Sequence, residues 1–583
     1  MKKLFYLLLA TTIIFTSCEK ETDPVTPPDA PVNGELSGDI VRDTTFKLGT
    51  YVIDGTIRVR NAVVTIEPGV TFKFTDGSAF DVAYWGNEEA TIIAKGTKEL
   101  PIVFTSNNTN PVKGSWDGFN FFKGTVNTVF NECIFEYGGG YSSYAMIYIE
   151  ESEVTFTNCT FRHAADIAMK LRSNGFFTEF DGNHLSDIES YPISIYADQV
   201  HTIAGTNEYE TSLGIHISDD RDFDKRGDFT WTNQGVPYYQ EGTIRFGCEG
   251  SGSILRIEEG VVVRFMEGAR WDVAYWGDNY ATIIAEGTAD NHIVFTSASL
   301  APSAGDWDDI VFYEGAINSS FNYCDFEYGG DSDYHAVLCI KDAEVGVNNC
   351  QFKNNQTGAI FANREGSFSS FGGNYFGDNG SFAINICPNH VHTIVGDNTY
   401  EDMGILISDD DNLDIKGAYV WTNQGIPYTI EGTVRVGAEV PGVELSIEAG
   451  AVVQFFQNAR LEIAYWGDDY GTLIANGTST EPVIFTSASP VPSAGDWIGI
   501  LFYEGSNNCV MNNCQVNYAG GNYSHQGALF LENAGSPLNL SNTLISNSSS
   551  NGISVDDDNN GSSVDYSNNV TFENITGVDY YIR

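Results

Sequence analysis

Basic residues are scarce in this chain. Its 583 residues include 29 Lys and Arg against 78 Asp and Glu, a formal net charge of −49 at pH 7. Such a surface repels nucleic acid and anionic lipid headgroups, so neither is expected as a direct partner. Because charge is screened beyond roughly 8 Å in physiological salt, a local basic patch could still bind an anionic glycan. Long apolar runs are also missing after the first 15 residues, so no later segment is expected to cross a bilayer as a helix. No long stretch has the spacing of an amphipathic helix, which removes helical bundles from consideration. Cysteine is limited to ten residues. Cys133, Cys324 and Cys514 recur at equivalent places, and Cys159 matches Cys350, each in an Asn-Cys or Asn-x-Cys context. Such regular placement beside alternating apolar residues favours free thiols packed inward over disulfides.

The first segment, MKKLFYLLLATTIIFTSC, places Lys2 and Lys3 before an apolar run from Leu4 to Phe15 that is too short to span a membrane. Its end, FTSC, resembles the lipobox of bacterial lipoproteins, which implies cleavage after residue 17 and lipidation at Cys18. EKETD, directly after Cys18, resembles the export signal of surface lipoproteins in Bacteroidota. The expectations are a signal peptide over residues 1–17, an acidic, Pro-rich tether over 18–40, and a monomeric protein on the outer membrane. It would face the exterior and touch the membrane only through its lipid.

The rest of the chain repeats. AYWG begins at Ala83, Ala274 and Ala464, 191 and 190 residues apart. Trp116, Trp307 and Trp497 keep the same intervals, as do Glu67, Glu258 and Glu448 in TIEPG, RIEEG and SIEAG. The segments PIVFTS, HIVFTS and PVIFTS recur likewise, and WTNQGVPY at Trp231 returns as WTNQGIPY at Trp421. Three tandem modules are expected, over residues 41–230, 231–420 and 421–583, the last one shortened. Within them the periodicity is two: in VVTIEPGVTFKF, Val64 and Ile66 alternate with Thr65, and Val70, Phe72 and Phe74 alternate with Thr71 and Lys73. A finer period of 26 residues separates Cys133 from Cys159 and Cys324 from Cys350. Each short unit has a single apolar face, so units must stack to bury it. A propeller would need a period of roughly 40–50 residues, which does not appear.

These features resemble the right-handed parallel β-helix of the pectate-lyase-like superfamily, and more closely the multi-module β-helix surface lipoproteins of Bacteroidota. The fold expected is therefore an all-β, right-handed parallel β-helix solenoid. At about 4.8 Å per stacked strand, some 22–24 coils would make a rod on the order of 110 Å. AYWG would mark one corner of the coil, with Gly86, Gly277 and Gly467 relieving the backbone at the turn.

Candidate sites fall in three groups. The pairs Tyr84–Trp85, Tyr275–Trp276 and Tyr465–Trp466 come first. Strand alternation would send one ring of each pair inward and the other outward, where it could stack on a sugar; alternatively both rings cap the core. The acidic stretches follow, with Asp219, Asp220, Asp222 and Asp224 in the first, and Asp409, Asp410, Asp411 and Asp414 in the second. Carboxylates at this density are candidate Ca²⁺ ligands, although Lys225 stands where a calcium-binding EF-hand loop needs Gly. An enzyme site is the third. SDD superficially resembles the paired Asp of β-helix galacturonases, but the Gly-His-Gly and Arg-x-Lys elements of those enzymes are missing. His201 and His392 recur 191 residues apart, which points to a structural role. The functional expectation is a non-catalytic surface rod that binds an extracellular polysaccharide or cell-surface glycan, or mediates adhesion. A polysaccharide lyase or glycoside hydrolase is the alternative, and a structural spacer the third possibility.

Overall fold

A computed structural model describes residues 34–141, 145–334, 336–401, 403–409, 411–521, 527–556 and 563–583. Cys18, the signal segment, most of the tether and Asp410 lie outside the described residues. The described chain is almost entirely short parallel strands, each paired with the equivalent strand of the next coil. Among the described residues, no helix is long and apolar enough to cross a membrane.

Period-two alternation accounts for each strand. Thr71–Phe74 buries Phe72 and Phe74 and turns Thr71 and Lys73 outward. Ile102–Ser106 buries Ile102, Phe104 and Ser106. Pairing in register puts like residues above one another. Phe295, Phe326, Phe352, Phe376 and Tyr400 form a column inside the coil with successive ring centroids 5.1, 4.8, 5.1 and 5.1 Å apart. That spacing is close to the strand separation, so one backbone ladder and one aromatic stack support each other. Asparagines form a polar ladder at a corner. Asn374 accepts from the Cys350 N–H at 2.9 Å and donates to the Val347 carbonyl at 2.9 Å. Its own N–H donates to Asn398 Oδ1 at 3.1 Å. Asn183 repeats the arrangement with the Cys159 N–H, the Phe156 carbonyl and Asn207.

The recurrent tryptophans close the core beneath a long loop. Trp116, Trp307 and Trp497 are fully buried and lie flat on Phe74, Phe265 and Phe455 at 4.1, 4.2 and 3.9 Å. Each indole Nε1 donates to a backbone carbonyl, of Glu136, Glu327 or Asn517, at 2.8–2.9 Å. The recurrent glutamates tie neighbouring coils: Glu258 and Glu448 accept from the Asn233 and Asn423 N–H at 3.0 Å. Described cysteines are free, and all but Cys248 are buried.

One expectation changes. The described residues form roughly twenty coils, a rod of about 100 Å against the 22–24 coils and about 110 Å expected. Loops such as residues 107–117 lengthen particular coils, so fewer fit in the chain. One face of the coil is also interrupted twice, where the short 3₁₀ helices Ala197–Thr202 and Pro388–Thr393 stand between strands. His201 and His392 belong to these helices, and their rings pack on Phe229 and Tyr419 at 4.8 and 5.3 Å.

Trp307→Ala removes both the Phe265 stack and the hydrogen bond to Glu327. It should cost about 3–5 kcal/mol in urea denaturation, and a loss below about 1 kcal/mol would contradict the role given to this ring. Burial holds the pKa of His201 down to about 4, helped by Lys225, and that of His216 down to about 4, helped by Arg172. Between pH 6.5 and 4 the unfolded chain therefore binds protons that the native imidazoles refuse, and stability falls as pH falls. Asp309, raised to about 6 by burial, has the opposite slope. The check is thus a comparison of variants. Thermal midpoints of His201→Gln and His216→Gln should fall less steeply than those of the parent over this window.

Candidate functional site: a cleft built twice

The AYWG corner is not an extension of the strand. Strands Ala79–Val82, Arg270–Val273 and Arg460–Ile463 end at Ala83, Ala274 and Ala464, which adopt φ of 55°, 59° and 55°. The small alanine is buried, and its left-handed backbone swings the following residues out of the coil. Strand parity therefore fails for the next two residues: both rings of the first two pairs are exposed, while in the third Tyr465 is half-buried against Leu501, Tyr503 and Phe530 and Trp466 is exposed. Tyr84 and Trp85 are 45% and 43% exposed, Tyr275 and Trp276 41% and 57%, and Trp466 61%. The glycines are not what relieves the turn: Gly86, Gly277 and Gly467 are outside the positive-φ set, and a side chain at Gly277 or Gly467 would meet open space.

The rings within each pair meet edge to face at 4.8–5.1 Å. An arginine recurs beneath them. Arg245 lies 5.3 Å from the Tyr275 centroid, Arg435 lies 4.8 Å from Tyr465 and 5.8 Å from Trp466, and Arg58 lies 5.6 and 5.7 Å from Tyr84 and Trp85. Guanidinium over an aromatic face at this range is attractive. Each arginine also faces a nearly buried acid one coil away. Arg435 Nε donates to Glu462 at 2.9 Å, Arg245 Nε is 3.8 Å from Asp272, and Arg58 Nε is 3.6 Å from Asp81. Arg460 and Arg270 bind the same Glu462 and Asp272 at 2.7 and 2.8 Å. Desolvation raises the pKa of Asp81, against the hydrogen bond from Asn120.

The acidic stretch arrives beside this corner because of a single buried residue. Phe223 is fully buried and bridges in parallel to Phe246, and Leu413 does the same with Val436. With Phe223 inward, Asp222 and Asp224 on either side turn outward, Asp222 accepting from the Arg245 N–H at 3.1 Å and Asp224 lying 3.9 Å from Arg221. With Leu413 inward, Asn412 accepts from the Arg435 N–H at 3.0 Å, and Asp414 lines the same cleft as Arg435. The result is a cleft of about 340 Å³ that contains Asp222, Asp224, Arg245, Glu249, Trp276 and Asn279 in its lining. A second cleft of about 350 Å³ is lined by Asn412, Asp414, Arg435, Glu439, Trp466 and Asp469, among others. The two lie seven strand steps apart, roughly 34 Å at about 4.8 Å each.

The fold thus brings together Tyr275 and Trp276 with Asp222 and Asp224, and Trp466 with Asp414. It keeps the other acids apart from them. Asp220 accepts from Ser218 Oγ at 2.9 Å and faces Arg172 at 3.7 Å. Asp219 and Asp409 lie against Gly242 and Gly432, where a Cβ would collide with their carboxylates. Asp411 accepts from Asn389 at 2.8 Å. Among the described residues, no three His, Cys, Asp or Glu side chains converge as metal ligands do. Sequence reasoning missed Arg58, Arg245 and Arg435, although TIRV, TIRF and TVRV repeat them in a chain poor in cations. It also missed Glu249, Glu439 and Asp469.

Two stretches, residues 38–130 and 414–515, match the family model described as a pectate-lyase like beta helix domain. No curated protein sequence matches the chain. The matched stretches contain the first and third AYWG corners, and the strands between them continue the same parallel stack. The described chain is an all-β solenoid of stacked parallel strands, and over these two stretches it is similar to a pectate-lyase-like right-handed parallel β-helix domain.

Proposed function

We propose that this protein is a surface lipoprotein, anchored through Cys18, whose rod binds an extracellular glycan at the clefts beneath Trp276 and Trp466. One observation carries the reading: an exposed indole beside convergent carboxylate, amide and guanidinium groups is built twice, roughly 34 Å apart on one side of a stiff rod. The apolar face of a sugar ring stacks on an indole, while its hydroxyls require donors and acceptors such as these. Two such clefts in line suit a polymer, because binding at one raises the effective concentration at the other.

A second reading, cleavage of the polysaccharide, draws on a polar row unique to the first part of the rod. Lys170, Ser194, His216 and Tyr239 occupy successive register positions on adjacent strands, where the corresponding row further along is Phe361, Asn385, Leu406 and Thr429. Ser194 Oγ is 3.0 Å from His216 Nδ1, and His216 Nε2 is 3.1 Å from Glu241. New reducing ends, or the absorbance of an unsaturated uronate, with purified protein would establish this reading. Neither binding nor turnover would leave the rod as a spacer.

On a glycan array, Trp276→Ala and Trp466→Ala should each weaken binding to a polymeric ligand about tenfold or more, in line with the loss of an aromatic contact and of avidity. Trp85→Ala should change it little, because Arg60 lies over that indole at 4.4 Å. Equal binding by all variants would remove the clefts from the reading. Calcium at the acidic loops has its own measurement. A rise in melting temperature on adding CaCl₂, reversed by EDTA and absent in Asp222→Asn, would support it, and no shift would discard it.

A further inference from the structure

The three corners are not alike, and the difference indicates what the open clefts hold. At the position after the buried Val59, Phe246 and Val436 stand Arg60, Gly247 and Gly437. Their equivalence is structural: their N–H groups donate to the carbonyls of Ile40, Phe223 and Leu413 at 2.9, 3.0 and 3.0 Å. In the two clefts this residue is a glycine packed close to the corner, where a Cβ would lie 3.2 Å from Asn279 Cβ at Gly247 and 3.1 Å from Ala464 Cα at Gly437, and no guanidinium occupies the cleft above it. In the first copy it is an arginine, whose guanidinium fills the space. It lies 4.4 Å from the Trp85 centroid, with Nη1 2.7 Å from Asp39 and Nε 2.6 Å from Glu88.

The groups that hold Arg60 have counterparts in the open clefts. Asp39 precedes Ile40 as Asp222 precedes Phe223 and Asn412 precedes Leu413. The N–H of Glu88 donates to the Trp85 carbonyl, as Asn279 does to Trp276 and Asp469 to Trp466, at 2.8–3.0 Å. Each open cleft therefore keeps one of the two carboxylate positions, Asp222 in one and Asp469 in the other. Each adds two further acids, Asp224 and Glu249 or Asp414 and Glu439, around an exposed indole. The floor arginines do not fill the place of Arg60, because Arg245 and Arg435 correspond to Arg58, which is present beneath Arg60 as well. A net negative lining against an indole face disfavours an anionic sugar and favours an organic cation.

We propose that each open cleft binds a protonated amine of an amino-sugar polymer, set over Trp276 or Trp466 and met by the surrounding carboxylates, with Arg60 standing in for that ligand in the first copy. This rests on the glycan reading above and narrows it to a glycan class. A polymer fits better than a single cationic side chain, because the clefts repeat along the rod axis at a fixed spacing.

The test uses the full chain and two probes with one backbone: a β-1,4-linked glucosamine hexamer and its fully N-acetylated counterpart. Calorimetry should give two sites per chain for the amine form, with affinity at least tenfold above that for the acetylated form. Because a chain of net charge −49 attracts any polycation, the deciding variants are the two tryptophan substitutions, which leave charge unchanged. Trp276→Ala and Trp466→Ala should each remove one site. Arg60→Gly should open the first corner and raise the stoichiometry to three, and Gly437→Arg should close the third and lower it to one. Circular dichroism of each variant would establish that the fold is kept. Equal affinity for the two hexamers would overturn the cation inference while leaving the glycan reading intact. Binding that survives both tryptophan substitutions would overturn it as nonspecific charge attraction. No binding of either hexamer would overturn it too, the glycan reading then standing or falling on the array. Tighter binding of octa-arginine at the same tryptophans would overturn it in favour of a basic protein partner.

Discussion

Everything in this molecule depends on one constraint: a coil exposes an apolar inner side and two rows of unpaired backbone groups, and only another coil can cover both. Parallel pairing in register answers the two needs together. Hydrogen bonds set the separation, and that separation is also right for stacked rings, as the column from Phe295 to Tyr400 shows. Corners obey the same rule through asparagine side chains, which replace the backbone partners lost where the chain turns. Because stability comes from neighbours above and below, residues on the outside are left free to diverge.

That freedom is where function enters. The three AYWG corners share a buried alanine, an exposed tryptophan and an arginine, and they differ at an outward position that is arginine once and glycine twice, followed in the second and third copies by a loop four residues longer. One side chain and the loop that follows it separate a filled corner from an open cleft. A comparable change occurs inside the repeat at Asp309, whose counterparts Gly118 and Gly499 have φ of 143°. Asp309 is fully buried near Arg270, with its carboxyl pushed up to about 6. Duplication supplied the frame, and local substitutions made its copies unequal.

The fold was legible because its signals are redundant. Alternation, 26-residue steps and intervals of about 190 residues all describe stacked units. The site was only half legible. Tyr275, Trp276, Asp222 and Asp224 could be picked out by type and recurrence, yet nothing in their order indicated that they share a cleft. Residues 222 and 276 are distant in the chain and meet because Phe223 pins the acidic loop two coils from the corner. The expectation of one inward and one outward ring does not hold at the first two corners, for a local reason. It assumed extended backbone through AYWG, whereas Ala83, Ala274 and Ala464 are left-handed.

The sequence by itself determined that the chain must be a stack, because no segment carries enough apolar surface to fold alone and every segment has a like neighbour. It also determined the acidic surface and the recurrence of the aromatic corners. Only the tertiary structure decided which corners are open and which acids meet which indole. Those facts depend on the register between coils and on the backbone angle of one alanine, and neither is written in the identity of the residues that line the clefts.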